Sequence, residues 1–251
     1  MKFVSGLVSI SFRPITPAEI IDAVKDAGLN AVEWGSDVHV PAGNTSVAES
    51  IKEETEKAGL CIPEYGSYYK LGVQGGEQIE NTVASARAMK VSVIRIWASD
   101  RSREKMSDEQ YNATVADAQA ICSRYPDMTF CLECHNNTVT EDYRDALKFL
   151  RDVNRPNLQM FWQPNQFRTH EYNIEALTAL LPYIRSVHVF SWEQKERYPL
   201  DRHEARWMDY LSVLKRSSAE KIYLMLEFMH DNSLASLHET AETLNGWIAR
   251  I

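Results

Sequence analysis

Eight times along this chain an apolar run of strand length gives way to a segment with apolar residues at helical spacing. The runs cover residues 3–12, 29–35, 60–67, 91–97, 129–133, 158–163, 184–190 and 221–228. The helical segments that follow them cover about 17–26, 46–59, 78–89, 108–125, 140–150, 174–181, 205–214 and 236–250. Such alternation excludes all-α and all-β architectures, and eight pairs in 251 residues is the arithmetic of a (β/α)8 barrel. Local signals agree, because Thr16-Pro17-Ala18-Glu19 supplies an N-cap, a proline at the first helical position and a capping-box carboxylate. No linker or low-complexity stretch divides the chain, so residues 1–251 are expected to form a single TIM-barrel domain of the α/β class.

The polar residues that close the runs carry the functional signal. Glu33, Glu64, Arg95, Glu133, Gln163, His188 and Glu227 each stand at or near the end of an apolar run. In a barrel the C-terminal strand ends face the loops that carry catalysis, so these residues are expected to ring one mouth. Four carboxylates held together repel one another by several kcal/mol unless cations or protons compensate, which implies a metal or a cationic partner.

Aromatic residues accompany the ring. Trp34, Trp97, Trp162 and Trp192 lie at or just after strand ends, and Tyr65, Tyr68 and Tyr69 follow the third run. They serve either as a plug for the barrel top or as a wall on which the C–H face of a sugar packs. Asp37 and His39 follow the second strand closely enough to hydrogen-bond one ligand. Lys195, Arg197, Arg202 and Arg206 follow the seventh, where barrels often bind phosphate, but they alternate with Glu193, Glu196, Asp201 and Glu204 as a self-neutralised surface would.

Composition narrows the partners. The net charge of −8 opposes attraction to a phosphate backbone, so no nucleic acid is expected. No apolar stretch approaches the roughly 20 residues of a membrane span, no signal peptide is evident, and a cytoplasmic location is the default expectation. Cys131 and Cys134 form a C-x-x-C pattern, but on a strand their sulfurs point to opposite faces, which leaves two small buried residues as the plainer reading.

Leu132-Glu133 with His135-Asn136, Val187-His188 and Leu226-Glu227 resemble the xylose isomerase-like TIM barrel superfamily of sugar and sugar phosphate isomerases and epimerases. The ketose 3-epimerase and inosose dehydratase branches are the most similar. The resemblance implies one divalent ion, manganese, cobalt or magnesium, held by Glu133, Gln163, His188 and Glu227. It implies that Glu133 and Glu227 also act as an acid/base pair around an enediolate, and that Arg197 holds a substrate oxygen. Glu33, Trp34, Asp37, His39, Glu64, Tyr68, Arg95, Trp97, His135, Trp162 and Trp192 complete the expected binding set for a sugar or sugar phosphate. Dimers and tetramers are usual among such proteins.

The chain departs from the pattern on the sixth strand, where the family's Asp-x-x-His is replaced by Gln163 and Gln166. A glutamine carbonyl can ligate a hard cation but brings no charge, so a weaker site, or one filled only with substrate, is expected. Two alternatives remain open: a catalytically silent sugar-binding barrel that has lost its metal, and an endonuclease IV-like nuclease. The nuclease needs histidine and aspartate ligands where Gln163 and Gln166 stand.

Overall fold

The computed structural model describes residues 2–251. Eight parallel strands close a barrel: β1 (Phe3–Val8), β2 (Ala31–Gly35), β3 (Tyr65–Lys70), β4 (Val93–Trp97), β5 (Thr129–Glu133), β6 (Leu158–Trp162), β7 (Ile184–Val189) and β10 (Ile222–Leu226). Sequential strands pair around the ring, and β1 closes it against β10 over Phe3–Leu7. The helices α1 (Pro17–Asp26), α2 (Thr45–Lys57), α3 (Gly76–Ala88), α4 (Asp108–Arg124), α5 (Tyr143–Val153), α6 (His170–Leu180), α7 (Glu204–Leu214) and α8 (Leu234–Arg250) follow the strands in turn. A short antiparallel hairpin, β8 (Trp192–Glu193) and β9 (Glu196–Arg197), lies between β7 and α7 and has no counterpart in the strand pattern of the sequence.

Helix boundaries follow the caps. At α1 the Glu19 amide donates to Thr16 Oγ1 and Glu19 Oε2 accepts from the Thr16 amide, the reciprocal pair the sequence announces. Two helices begin differently from the expected positions. Residues 139–141 form a 3-10 turn and Asp142 caps α5 by accepting from the Arg144 amide, while Thr169 caps α6, which begins at His170, four residues ahead of the expected start at 174.

The third strand is a correction with consequences for function. Pro63 has no N–H to give a ladder, and the 60–64 stretch pairs only through a single bridge from Cys61 to Ala31. Regular pairing starts at Tyr65. Glu64 therefore precedes β3 instead of ending it.

Side-chain parity corrects the tryptophans. Successive residues of a strand point to opposite faces, so with Glu33 inside the barrel Trp34 must face the helices. Its indole N–H donates to Thr55 Oγ1 of α2 at 3.2 Å. Trp162 is likewise buried against Trp207 and Tyr210 of α7. Both belong to the apolar layer between barrel and helices and not to a wall around the mouth.

A buried cluster at the barrel mouth as candidate metal centre

Alternate positions of the strands place Glu33 of β2, Arg95 of β4, Glu133 of β5 and His188 of β7 inside the barrel, with Gln163 and Glu227 immediately after β6 and β10. Glu33, Arg95, Glu133, His188 and Glu227 are between 0% and 6% exposed, so every charge must be answered from within the cluster. His188 is its hub. Its Nδ1 lies 3.1 Å from Gln163 Oε1 and 3.6 Å from both Glu133 Oε1 and Glu227 Oε2. Its Nε2 lies 3.0 Å from Glu33 Oε2.

Arg95 ties the floor together. Its Nε donates to Glu33 Oε1 at 2.9 Å and its Nη1 to Glu133 Oε2, which also accepts from the Trp97 indole at 2.6 Å. Glu133 thus has one oxygen committed to donors and the other, Oε1, turned toward His188. Glu227 differs: its nearest cationic partner is His188, and Arg95 does not bond it.

These surroundings separate the carboxylates. Burial alone would raise Glu133, but the Arg95 guanidinium and His188 override it and hold the group well below the usual carboxylate range. Glu33 is lowered in the same way, against burial, by Arg95 and His188. Burial raises Glu227; His188 opposes the rise and the Glu133 charge adds to it. Burial would lower His188, yet Glu227, Glu33 and Glu133 together raise it well above its ordinary value. Oxygen atoms face both ring nitrogens, an arrangement that favours the doubly protonated imidazole when no cation is bound.

The donor set fits a divalent ion. Glu133, His188 and Glu227 offer atoms within 4.8 Å of one another, and the Gln163 carbonyl oxygen joins them at His188 Nδ1. Donors sharing one cation at bond lengths near 2.1 Å lie about 3.0–3.4 Å apart, and the separations from Nδ1 are close to that range. Two carboxylates, a carbonyl and an imidazole are suitable ligands for magnesium, manganese or zinc.

Aromatic and basic side chains roof the cluster. Trp97 stacks on His135 with centroids 4.4 Å apart and meets Tyr68 edge-on. Arg13 bonds Asp37 at 2.6 Å and the Tyr68 hydroxyl at 2.9 Å. The Arg197 guanidinium lies 4.9 Å from the ring centroids of both Trp192 and Phe228, and no carboxylate pairs with it among the described residues. Phe228, next to Glu227, adopts a left-handed φ of 48° and is tied by its amide to Ser11 Oγ and by its carbonyl to the Trp192 indole. Arg13 and Phe228 were absent from the sequence-derived set; a cation after the first strand and a ring beside a strand-end glutamate were the available signals.

The remaining expected residues lie elsewhere. His39 is buried, with its ring nitrogens engaged by Ser9 Oγ at 3.0 Å and the Ile15 carbonyl at 3.2 Å. Of the basic cluster, Arg206 pairs with Glu193 while Arg202 covers the Tyr198 ring, so among the described residues Arg206 alone of the four is neutralised by an ion pair. Glu64 is buried beneath the mouth, where it accepts from Ser186 Oγ at 2.7 Å and lines a cleft with Arg185 and Lys221 at the N-terminal ends of β7 and β10.

Burial, and then the Glu33 charge, push Glu64 up to about 8. The folded protein therefore keeps a proton that the unfolded chain releases near pH 4. Stability from this group is complete below that pH and is lost as pH rises toward 8, at up to about 1.4 kcal/mol per pH unit. Glu64→Gln retains an acceptor for Ser186 and removes this slope. Urea unfolding at pH 5 and pH 8 is expected to show a smaller loss of stability in the variant than in the wild type.

A family model described as xylose isomerase-like TIM barrel matches residues 21–251. The chain belongs to that family. It is 25% identical over 177 residues to the 3-dehydroshikimate dehydratase of Bacillus anthracis, an alignment covering 64% of this chain and 60% of that protein's length. The crystal structure of the probable 3-DHS dehydratase AsbF, involved in petrobactin synthesis in Bacillus anthracis, superposes with a TM-score of 0.80 at 20% identity, over 98% of this chain and 99% of that one. A xylose isomerase-like TIM barrel protein from Mycobacterium smegmatis, solved in complex with magnesium, superposes with a TM-score of 0.72 at 14% identity, over 99% and 97% of the two chains. Within the described residues, no helix is long and apolar enough to cross a membrane.

Proposed function

We propose that this family member is an enzyme that removes and returns a proton on the carbon beside a carbonyl of a sugar, sugar phosphate or related polyhydroxylated ring, as an isomerase or epimerase. What supports the reading is the convergence of Glu133 Oε1, Glu227 Oε2 and Gln163 Oε1 on His188 Nδ1 beneath an aromatic roof. Glu133, Gln163, His188 and Glu227 would hold a divalent cation such as magnesium, manganese or cobalt. When bound there, such a cation stabilises the negative charge that develops on a carbonyl oxygen as the neighbouring C–H is deprotonated.

The chain's own residues divide the remaining work. Glu133, clamped by Arg95 and Trp97, stays an anion of fixed orientation. Glu227, without such a clamp, is free to take the proton at one carboxylate oxygen and return it. A single carrier suffices for isomerisation, in which the proton returns on the face it left; epimerisation would also need Glu133, on the other side of the substrate, to deliver a proton to the opposite face. Tyr68, Trp97 and Trp192 offer faces for the substrate's carbon skeleton, and Arg197 offers an uncompensated charge for a substrate oxygen.

Similarity to a 3-dehydroshikimate dehydratase favours a second reading, dehydration. It begins with the same deprotonation, but a hydroxyl on the next carbon then leaves as water. One experiment addresses the common step. With manganese in deuterium oxide, a panel of ketoses, their phosphates and 3-dehydroshikimate is expected to yield at least one compound that exchanges its α-hydrogen or eliminates water. A panel in which none does either contradicts the proposal.

The cation site makes a separate prediction. Gln163→Glu keeps the reach of the side chain and adds one negative charge, so it is expected to tighten manganese binding on the order of ten-fold, about 1.4 kcal/mol. Calorimetric titration measures this, and an unchanged affinity would place Gln163 outside the ligand set.

A further inference from the structure

Glu33 lies in the cluster but has no access to a substrate. It is 0% exposed, Oε1 accepts from Arg95 Nε at 2.9 Å, and Oε2 faces His188 Nε2 at 3.0 Å. We infer that Glu33 is a positioning residue whose carboxylate fixes the His188 ring so that Nδ1 presents its lone pair to the cation site. The inference rests on the cation reading above and adds the device that orients one ligand. An ionised carboxylate only accepts hydrogen bonds, so the ring nitrogen facing Glu33 must carry a hydrogen, and the other becomes the donor atom for a cation.

The surroundings hold that arrangement on three sides. Arg95 spans from Glu33 to Glu133, so the carboxylate that orients the imidazole and a carboxylate that would share its cation are set by one guanidinium. The Phe161 ring meets His188 edge-on at 5.7 Å and limits its rotation. Gly66 leaves the necessary space: a Cβ there would lie 2.4 Å from Glu33 Oε1 and 3.0 Å from Arg95 Nη2. The close approach, and not a left-handed backbone, is what requires glycine at this position.

The test uses zinc as the probe and protein with 15N-labelled histidine. Upon zinc loading, long-range proton–nitrogen spectra of the wild type are expected to show His188 Nε2 still protonated and Nδ1 cation-bound. Glu33→Gln keeps a carbonyl acceptor and is expected to retain this pattern, with zinc affinity within several-fold of the wild type. Glu33→Leu is expected to lose roughly 10–100-fold in zinc affinity. Zinc on Nε2, or a folded Glu33→Leu variant that binds zinc like the wild type, overturns the inference while leaving the cation reading in place. A wild type that takes no zinc on His188 overturns both. The wild-type spectra decide the ring's orientation even where Glu33→Leu does not fold.

Discussion

Glu227→Gln is expected to lower turnover by about 10²–10⁴-fold while leaving KM within a few-fold of the wild type, the signature of a lost proton carrier in a site that still binds. The substitution retains a carbonyl oxygen beside His188 but cannot take a proton from carbon. It also separates two uses of the same side chain. If Glu227 were needed merely as a cation ligand, the glutamine variant would weaken cation binding and excess manganese would restore activity. If it carries the proton, the loss persists at saturating manganese, and solvent deuterium no longer enters the α-position of bound substrate. Retained exchange would remove Glu227 from the proton-transfer step.

Arg95→Met is expected to have the largest effect on stability. The guanidinium is 1% exposed and bonded to two carboxylates that are themselves 0% and 2% exposed. Methionine fills much of the volume but leaves Glu33 and Glu133 buried without their main counterion, and removing one partner of such a network costs about 3–5 kcal/mol. Set against a total stability of about 5–15 kcal/mol for an ordinary domain, this brings the protein close to unfolding at ambient temperature. Adding Glu33→Gln removes one stranded charge and is expected to recover part of the loss. Urea unfolding of the single and double variants measures both effects; a loss under about 1 kcal/mol in the single variant would show that the ion network does not hold the barrel floor. Arg95→Lys is no substitute, since a point charge cannot span two carboxylates as the planar fork does.

The sequence displayed the barrel because its strand and helix periods alternate without interruption, and any such barrel brings its strand ends together. Glu33, Arg95, Glu133, Gln163, His188 and Glu227 could therefore be grouped without coordinates. Which of them pair could not be read, because the distances from Arg95 to Glu33 and Glu133 depend on barrel closure and not on sequence spacing. Parity was available and decisive for Trp34 and Trp162: each stands one residue from an inward side chain, so each had to face the helices. Pro63 likewise signalled that pairing fails before Glu64. The roof was least legible. Arg13, Phe228 and the hairpin of β8 and β9 come from loops, whose contacts arise only when distant strands are brought side by side.

Glu133, Gln163, His188 and Glu227 are expected to hold one divalent cation beneath that roof. Anomalous diffraction from crystals grown with manganese tests it directly. A single strong peak is expected within the mouth, at bonding distance from Glu133 Oε1, Gln163 Oε1, His188 Nδ1 and Glu227 Oε2. Absence of a peak there at saturating manganese, with and without a bound ketose or 3-dehydroshikimate, would contradict it.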